Sequence, residues 1–336
     1  MSTPLVSIVV PSYNRSSSLR RLLEALTKQT FPASRFEVVV VDDGSTDGTV
    51  EFVRDYQADY GLRVIAQSHA GPAAARNRGA QDAAGQIILF LDDDVAPMAS
   101  LVQEHVSTHA ADAGVVVIGP MLPPGDWPRP VWVRWEEDKL LKQYKAMRDG
   151  LWSCTARQFY TGNASLTRDR LLEAGGFDTR FARAEDVELA YRLRDKGARF
   201  VFNARAEVWH YASRSFESWC RTPFQYGAYD VVMQRDKGQR TLDEATREFH
   251  SRNALNRFVV RMCAGHRRTV RGTVKILGGF ALLSGRMGVQ APAKLLLSAI
   301  FGVLYWQGVC EELGDRREMW RRIDASAPGQ VAPQRG

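Results

Sequence analysis

The sequence predicts an α/β fold, a mostly parallel sheet with helices on both faces, followed by a mainly helical C-terminal extension. Strand and helix signals alternate over the first 119 residues. Two of the strands, Val38 to Val41 and Ile87 to Leu91, are continuous apolar runs, as strands buried on both faces are. Both runs end in acids, Asp42-Asp43 and Asp92-Asp93-Asp94. Open α/β sheets bind ligands at the carboxyl edge of their strands. Two acid-tipped strands at that edge predict a site for a cation and for something the cation carries.

Taken in order, Val6 to Val10 reads as the first strand, ended by Pro11, and a helix follows near Leu19 to Thr27. After Val38 to Val41, Ser45, Thr46 or Asp47 can cap a helix near Thr49 to Tyr60. Arg63 to Ala66 is a strand, Ala73 to Ala83 a helix, Ile87 to Leu91 a strand, Met98 to Ala110 a helix and Val115 to Ile118 a strand. This is a doubly wound series. No GxGxxG follows the first strand and no GxxxxGK[ST] occurs, so neither a dinucleotide fingerprint nor a P-loop is present. Three adjacent carboxylates repel one another unless a cation or water relieves them, which sets Asp92 to Asp94 apart from an ordinary loop.

The alternation breaks between Pro120 and Tyr160, a Pro-rich stretch carrying Trp127, Trp132, Trp135 and Trp152 that reads as irregular. Such a segment serves either as a binding wall or as a surface loop pinned by its Trp side chains. Helices near Arg168 to Ala174 and Glu185 to Lys196 follow, the second stopped by Gly197, and then strands at Phe200 to Asn203 and Val208 to His210. The expected organisation is a catalytic unit over 1–212, divided into halves 1–119 and 120–212, a helical extension over 213–325 and a disordered tail over 326–336.

With 336 residues and 45% hydrophobic content the chain can bury a large core. The opening MSTPLVSIVVPSYN has no basic leader and reads as a strand, so a cytoplasmic location is expected. Cys154, Cys220, Cys263 and Cys310 form no CxxC pair or metal-finger spacing and read as reduced packing residues. The net charge of +7 is concentrated in the last third, where 18 Lys and Arg face 10 Asp and Glu from Asp230 onwards. No nucleic-acid motif accompanies this excess. Its neighbours are apolar, and Leu295 to Cys310 is a 16-residue uncharged run, short of the roughly 20 residues a membrane-spanning helix needs. A buried core helix or an interfacial hairpin flanked by Arg267, Arg268, Arg271, Arg316, Arg317, Arg321 and Arg322 is expected, the latter giving peripheral contact with the inner membrane face.

VSIVVPSYNR at Val6 to Arg15, VVVVDDGSTDGT at Val38 to Thr49, ARNRG at Ala75 to Gly79, LDDD at Leu91 to Asp94 and EDVELAYRLRDKG at Glu185 to Gly197 stand in an order that resembles family 2 glycosyltransferases of the GT-A, Rossmann-like fold. The resemblance covers roughly residues 5 to 212. It implies a nucleotide-sugar donor whose diphosphate is neutralised by Mn²⁺ or Mg²⁺. Asp92 and Asp94 match the DxD motif, in which the last acid holds the metal and the first meets the ribose, and His210 lies where relatives supply a further ligand. An imidazole among carboxylates favours Mn²⁺. The resemblance places Pro11, Tyr13 and Asp43 around the nucleobase, the last accepting a uracil imide N–H. It has Arg76 reach the base or phosphates, puts Asp93 with the donor-binding residues, and sets Glu185 and Asn163 on the acceptor side. Asp186 matches the catalytic carboxylate; at a helix start it is expected to be ionised at neutral pH, as a base must be.

A single base without a second nucleophilic carboxylate implies direct displacement with inversion. Processive synthases carry QxxRW, whereas Arg134-Trp135 is preceded by Val131 and precedes Glu185-Asp186, so transfer of a single sugar is expected. The acceptor is a hydroxyl of a glycan, a lipid-linked saccharide or a small molecule; nucleic acid is not expected as a partner, and the oligomeric state stays open. Other readings are a nucleotidyltransferase, which calls for a Gly-rich basic loop where Pro11-Ser12-Tyr13-Asn14 stands, a phospho-acceptor domain, which has no counterpart of Glu185-Asp186, and a non-catalytic sugar-nucleotide binder, which would be expected to lose Asp94 or Asp186.

Overall fold

A computed structural model describes residues 4–327, so residues 328–336 of the expected tail lie outside the described residues. The chain divides into two compact units. The first runs to Pro128 and resumes from Glu137 to Ala212; the second comprises Arg129–Glu136 and the chain from Ser213.

In chain order the elements are β1 (Val6–Ser12), α1 (Ser16–Leu26), β2 (Phe36–Asp42), α2 (Thr49–Asp55), β3 (Gly61–Ala66), α3 (Pro72–Asp82), β4 (Ile87–Leu91) and β5 (Val95–Pro97). They continue with α4 (Leu101–Ala111), β6 (Val115–Ile118), β7 (Met121–Leu122), α5 (Val131–Arg148), β8 (Asn163–Thr167), α6 (Arg168–Glu173), α7 (Glu185–Asp195), β9 (Arg199–Phe202) and β10 (Val208–His210). The second unit adds α8 (Phe216–Lys237), α9 (Thr241–Ser251), α10 (Ala254–Cys263), α11 (Arg267–Arg286), α12 (Gln290–Leu313) and α13 (Arg316–Ala325).

The main sheet has the order β3-β2-β1-β4-β8-β6-β9. β8 runs antiparallel to β4 and β6, and the other neighbours are parallel. Side chains alternate across a strand, so β1 feeds two cores. Val6, Ile8 and Val10 pack with Leu19, Leu22, Leu23 and Leu26 of α1, while Val9 packs with Ile88, Phe90, Ala73 and Ala80. The four leucines fall at i, i+3, i+4 and i+7 and form one helical face. Gly79 of the ARNRG segment lets α3 lie on the sheet, because a Cβ there would come within 2.4 Å of Val9 Cγ1.

Parallel register fixes the site edge. Ser12 pairs with Asp42 between β1 and β2, and Val9 pairs with Phe90 between β1 and β4, so the acids that follow β4 emerge beside the end of β1. A smaller sheet, β5-β10-β7, lies just past that edge in sequence; its antiparallel register sets His210 opposite Val95.

Two sequence expectations are corrected here. The stretch from Pro120 to Tyr160 is not irregular throughout, since α5 occupies Val131–Arg148; Pro and Trp dominate its composition, yet Glu, Lys, Leu, Gln and Ala beyond Pro130 are good helix formers. The helix expected to reach Tyr60 ends at Asp55, where Tyr56 turns to extended backbone.

In the second unit α12 is the central element, packed on α8, α10 and α11. It is long and apolar enough to cross a membrane by composition, but most of it is buried inside the unit. Ala293, Leu297, Ile300, Val303, Trp306 and Val309 are all core residues. Of the two readings of Leu295 to Cys310, a buried core helix or an interfacial hairpin, the structure has the core helix. Where α8 and α12 cross, Gly227 lies against the Tyr305 carbonyl and Gly308 against the Phe224 carbonyl, so closely that a Cβ at either position would clash with backbone.

Candidate functional site

The acid triplet is held by two arginines. Asp93 is buried; its Oδ2 accepts from Ser12 Oγ at 2.9 Å and its Oδ1 from Arg15 Nη1 at 3.2 Å. The same Arg15 Nη1 donates to Asp94 Oδ2 at 2.7 Å. Burial pushes the Asp93 carboxyl up to about 7, with Arg15 opposing the rise and Asp94 adding to it. Burial also works against the charge on Arg15, but Asp93 and Asp94 outweigh it and hold the guanidinium more firmly charged than usual.

Asp94 faces His210, with 3.6 Å between Oδ1 and Nε2. Backbone pairing produces this approach over 116 positions of sequence, because His210 lies opposite Val95 and the Tyr211 N–H donates to the Asp94 carbonyl at 2.9 Å. Cis ligands on an octahedral ion with bonds of about 2.1 Å stand roughly 3 Å apart, so this carboxylate and imidazole fit a shared divalent cation. Asp92 is not grouped with them. Among the described residues no cluster of three or more candidate metal ligands occurs. A two-residue protein site completed by phosphate oxygens is the usual arrangement for a hard cation bound with a nucleotide.

Asp92 instead meets Arg76, the residue expected to reach the base or phosphates. Arg76 is buried and bridges, donating from Nη2 to Asp92 Oδ1 at 2.8 Å and from Nη1 to Glu185 Oε1 at 2.7 Å. Burial disfavours its charge, but Asp92, Glu185 and Asp186 prevail and its pKa is raised. A buried charge needs such partners. The bridge ties the end of β4 to the first turn of α7, and Glu185, expected on the acceptor side, is a buried ion-pair partner of Arg76.

Asp186 follows Glu185 at the start of α7, after Ala184 in a left-handed backbone conformation (φ 59°). For a non-glycine residue this is strained, and strain of this kind collects at functional sites. Burial drives the Asp186 carboxyl up to about 7; Glu185 adds to the rise and Arg76 opposes it. The expectation of full ionisation from the helix dipole is thus corrected, because desolvation beside a second carboxylate outweighs it. A carboxylate whose pKa lies near neutrality is a better-matched base than an ordinary one.

At the other end of the edge, the Asp43 carboxylate accepts from Gln67 Nε2 (2.7 Å), the Ala70 N–H (2.9 Å) and the Gly71 N–H (2.8 Å). His69 Nδ1 stands 2.8 Å from its Oδ2. Three hydrogen bonds thus tie the Asp43 carboxylate to the loop between β3 and α3. Asp43 anchors that loop. Tyr13 follows Pro11 and Ser12 at the end of β1 and stacks on His69, with ring centroids 4.3 Å apart. Asn14, in the left-handed region, ties the β1 end to the loop after β2: its N–H donates to Ser45 Oγ and its Oδ1 accepts from the Thr46 N–H.

Asn163 is fully buried and lies beneath the edge, which removes it from the acceptor side. Its Nδ2 donates to the Ala206 and Pro120 carbonyls at 2.8 and 3.2 Å. His105 Nε2, 3.0 Å from Asn163 Oδ1, must carry the donated proton, so His105 Nδ1 accepts from Ser165 Oγ at 2.8 Å and His109 Nε2 donates to the same oxygen at 2.8 Å. Burial pushes both imidazoles down to about 4, which keeps them neutral, as this chain of bonds requires.

Arg15, Ser12, Gln67 and His69 are site residues that the sequence did not single out. Arg15 ends the VSIVVPSYNR segment, which was its one available signal.

The model of "Glycosyl transferase family 2" matches residues 7–175. A validoxylamine A glucosyltransferase of Streptomyces hygroscopicus subsp. jinggangensis is 35% identical over 226 residues, covering 58% of this chain and 52% of that protein. The glycosyltransferase AglE of Haloferax volcanii is 39% identical over 118 residues, covering 34% of this chain and 38% of its own. The chain thus spans about half the length, or less, of these curated relatives. Among solved structures, S. aureus TarS 1–349 in complex with UDP aligns with a TM-score of 0.55 at 19% identity, covering 92% of each chain. A mannosyltransferase from Pyrobaculum calidifontis in complex with GDP-Man and Mn²⁺ aligns with a TM-score of 0.58 at 20% identity, covering 90% of this chain and 88% of that one. These two share the fold, a GT-A sheet with a helical C-terminal region. With its acid-edged sheet and with half of its length matched by the family model, the chain belongs to glycosyl transferase family 2.

Proposed function

We propose that this protein is a metal-dependent, inverting glycosyltransferase that moves one sugar from a nucleotide-sugar donor, a UDP-sugar by preference, to an acceptor hydroxyl of a saccharide, a lipid-linked saccharide or a small molecule. The observation that carries the reading is the Asp92–Arg76–Glu185 bridge, which places Asp186, a carboxylate raised to about 7, next to the acids at the end of β4.

Asp94 and His210 would hold a divalent cation, which when bound supplies positive charge against the donor diphosphate. Tyr13 and His69 offer aromatic faces to a base at the end of β1. Asp186 takes the proton of the acceptor hydroxyl as it attacks the anomeric carbon from the side opposite the leaving group, and the configuration inverts. Arg76 fixes the start of α7, so that the base keeps its position relative to the donor acids. The curated relatives transfer sugars by name, and the solved neighbours are complexes of UDP and of GDP-Man with Mn²⁺; both support a nucleotide-sugar donor here.

The test is a calorimetric screen of UDP and GDP with and without Mn²⁺. Metal-dependent binding that disappears in Asp94→Ala, with the circular dichroism spectrum retained, is expected. Equal binding with and without metal would remove the metal from the proposal.

A further inference from the structure

The second unit exposes an apolar stripe that its own core does not use. Ile276, Phe280 and Leu283 follow one another at i, i+4 and i+7 along α11, Met287 continues the series at i+11 as the C-cap, and the four are 59%, 58%, 53% and 69% exposed. On α10, Leu255, Phe258 and Met262 repeat the pattern at i, i+3 and i+7 and are also exposed. Both helices pack on α12 and on each other, so their outward faces adjoin. Large apolar side chains gathered in this way mark an interaction surface, unlike the scattered ones that any soluble surface carries.

The charge pattern selects the partner. Between Glu248 and Glu311 the sequence holds nine Lys and Arg and no acidic residue. At 100° per residue, Arg268, Lys275 and Arg286 fall on one line of α11 within about a quarter turn of the apolar stripe. Among the described residues none of Arg268, Arg271, Lys275 and Arg286 has an ion-pair partner, whereas Arg267 is paired with Glu311, and Arg321 and Arg322 with Glu318. Apolar side chains flanked by unpaired cations are the pattern of a helix lying in a lipid interface, with long basic side chains reaching outward to headgroups. A second copy docked on the same face would bring these cations together with no acid to meet them.

We propose that the α10–α11 face docks peripherally on an anionic lipid surface, with Phe258, Ile276, Phe280, Leu283 and Met287 entering the acyl boundary and Arg268, Lys275 and Arg286 meeting anionic headgroups. In the sequence, basic residues flank the apolar run at both ends; the inference keeps the α10–α11 side and leaves out α12 and α13, and it does not depend on the sugar-transfer chemistry.

The test is co-sedimentation of the full chain with phosphatidylcholine vesicles, with and without 30% phosphatidylglycerol, at low and high salt. Binding to the anionic vesicles alone, weakened by salt, is expected. Arg268→Gln with Lys275→Gln should weaken it by about twenty-five-fold, since each basic residue near such a surface contributes a factor of about five. Phe280→Ser with Met287→Ser should also weaken it, whereas Arg321→Gln with Arg322→Gln should leave it unchanged. Thermal melting and UDP binding of each variant report whether it is folded. Equally poor binding of both vesicle types would overturn the proposal, as would loss through Arg321 and Arg322 with no loss through α11. Face-dependent self-association without vesicle binding would likewise overturn it and assign the face to a second copy.

Discussion

Arg15 Nη1 stands 2.7 Å from Asp94 Oδ2, and His210 Nε2 faces the other oxygen of that carboxylate at 3.6 Å. A guanidinium thus neutralises the acid that the DxD resemblance gives to a metal. An incoming cation has to compete with Arg15 or share Asp94 with it, and the two charges repel.

Removing that competitor has a predicted sign. Arg15→Gln should raise Mn²⁺ affinity, by about tenfold if one close charge pair is relieved in this partly exposed site. It should also lower the melting temperature of the metal-free protein, because Asp93 and Asp94 lose their counter-charge. Titration calorimetry with paired melts checks both. An unchanged Mn²⁺ affinity would show that Arg15 and the cation do not meet.

Asp186 gives a pH dependence. With its carboxyl raised to about 7, the turnover rate should fall tenfold per unit below that pH, because the base must be ionised. Asp186→Asn should remove this limb and reduce the rate by about a hundredfold or more, with donor affinity retained. The stability effect has the opposite character. Between the ordinary value of 3.8 and about 7 the folded chain holds a proton that the unfolded chain has lost, so stability falls as pH rises through this window and stays reduced above it. Asp186→Asn should therefore melt higher than the parent at pH 8, with the advantage vanishing near pH 4. Melts across this range check the sign.

Asn163→Ala should lower stability by about 2–4 kcal/mol, since it leaves the buried His105 N–H and the Ala206 carbonyl without these partners, while the Pro120 carbonyl keeps the Val208 N–H. Donor and acceptor KM of the folded variant should not change. A selective rise in acceptor KM without a loss of stability would return Asn163 to the acceptor side.

Arg76→Ala should be among the most damaging single changes, because it strands Asp92 and buried Glu185. Breaking one partner from a buried ion pair costs about 3–5 kcal/mol. Adding Glu185→Gln to Arg76→Ala should recover part of that loss, which chemical denaturation of the single and double variants measures.

Much of this was legible in the sequence because buried parallel strands are written as apolar runs. Val38 to Val41 and Ile87 to Leu91 gave β2 and β4, and the acids after them marked the binding edge. Helix α7 was equally clear from its acidic first turn and Gly197. The partners of the charges were not legible: Arg15 and Asp94 are 79 positions apart, Arg76 and Glu185 109, and only the tertiary fold brings them together. For the same reason the contacts that Asp43 makes with the loop after β3, and Arg76 with Asp92 and Glu185, could not be read from the sequence. Helix α5 was hidden by the Pro and Trp residues around it. The apolar run in α12 reads alike whether it lies in a core or in a membrane interface, and packing by α8, α10 and α11 decides between them.

Donor hydrolysis followed by proton NMR tests the chemistry most directly, because water can replace an unknown acceptor. The parent protein with Mn²⁺ and an α-linked UDP- or GDP-sugar should release the β-anomer first, before mutarotation, and Asp186→Asn should slow this release by about a hundredfold. Release of the α-anomer first, or an undiminished rate in Asp186→Asn, would contradict single displacement with Asp186 as the base.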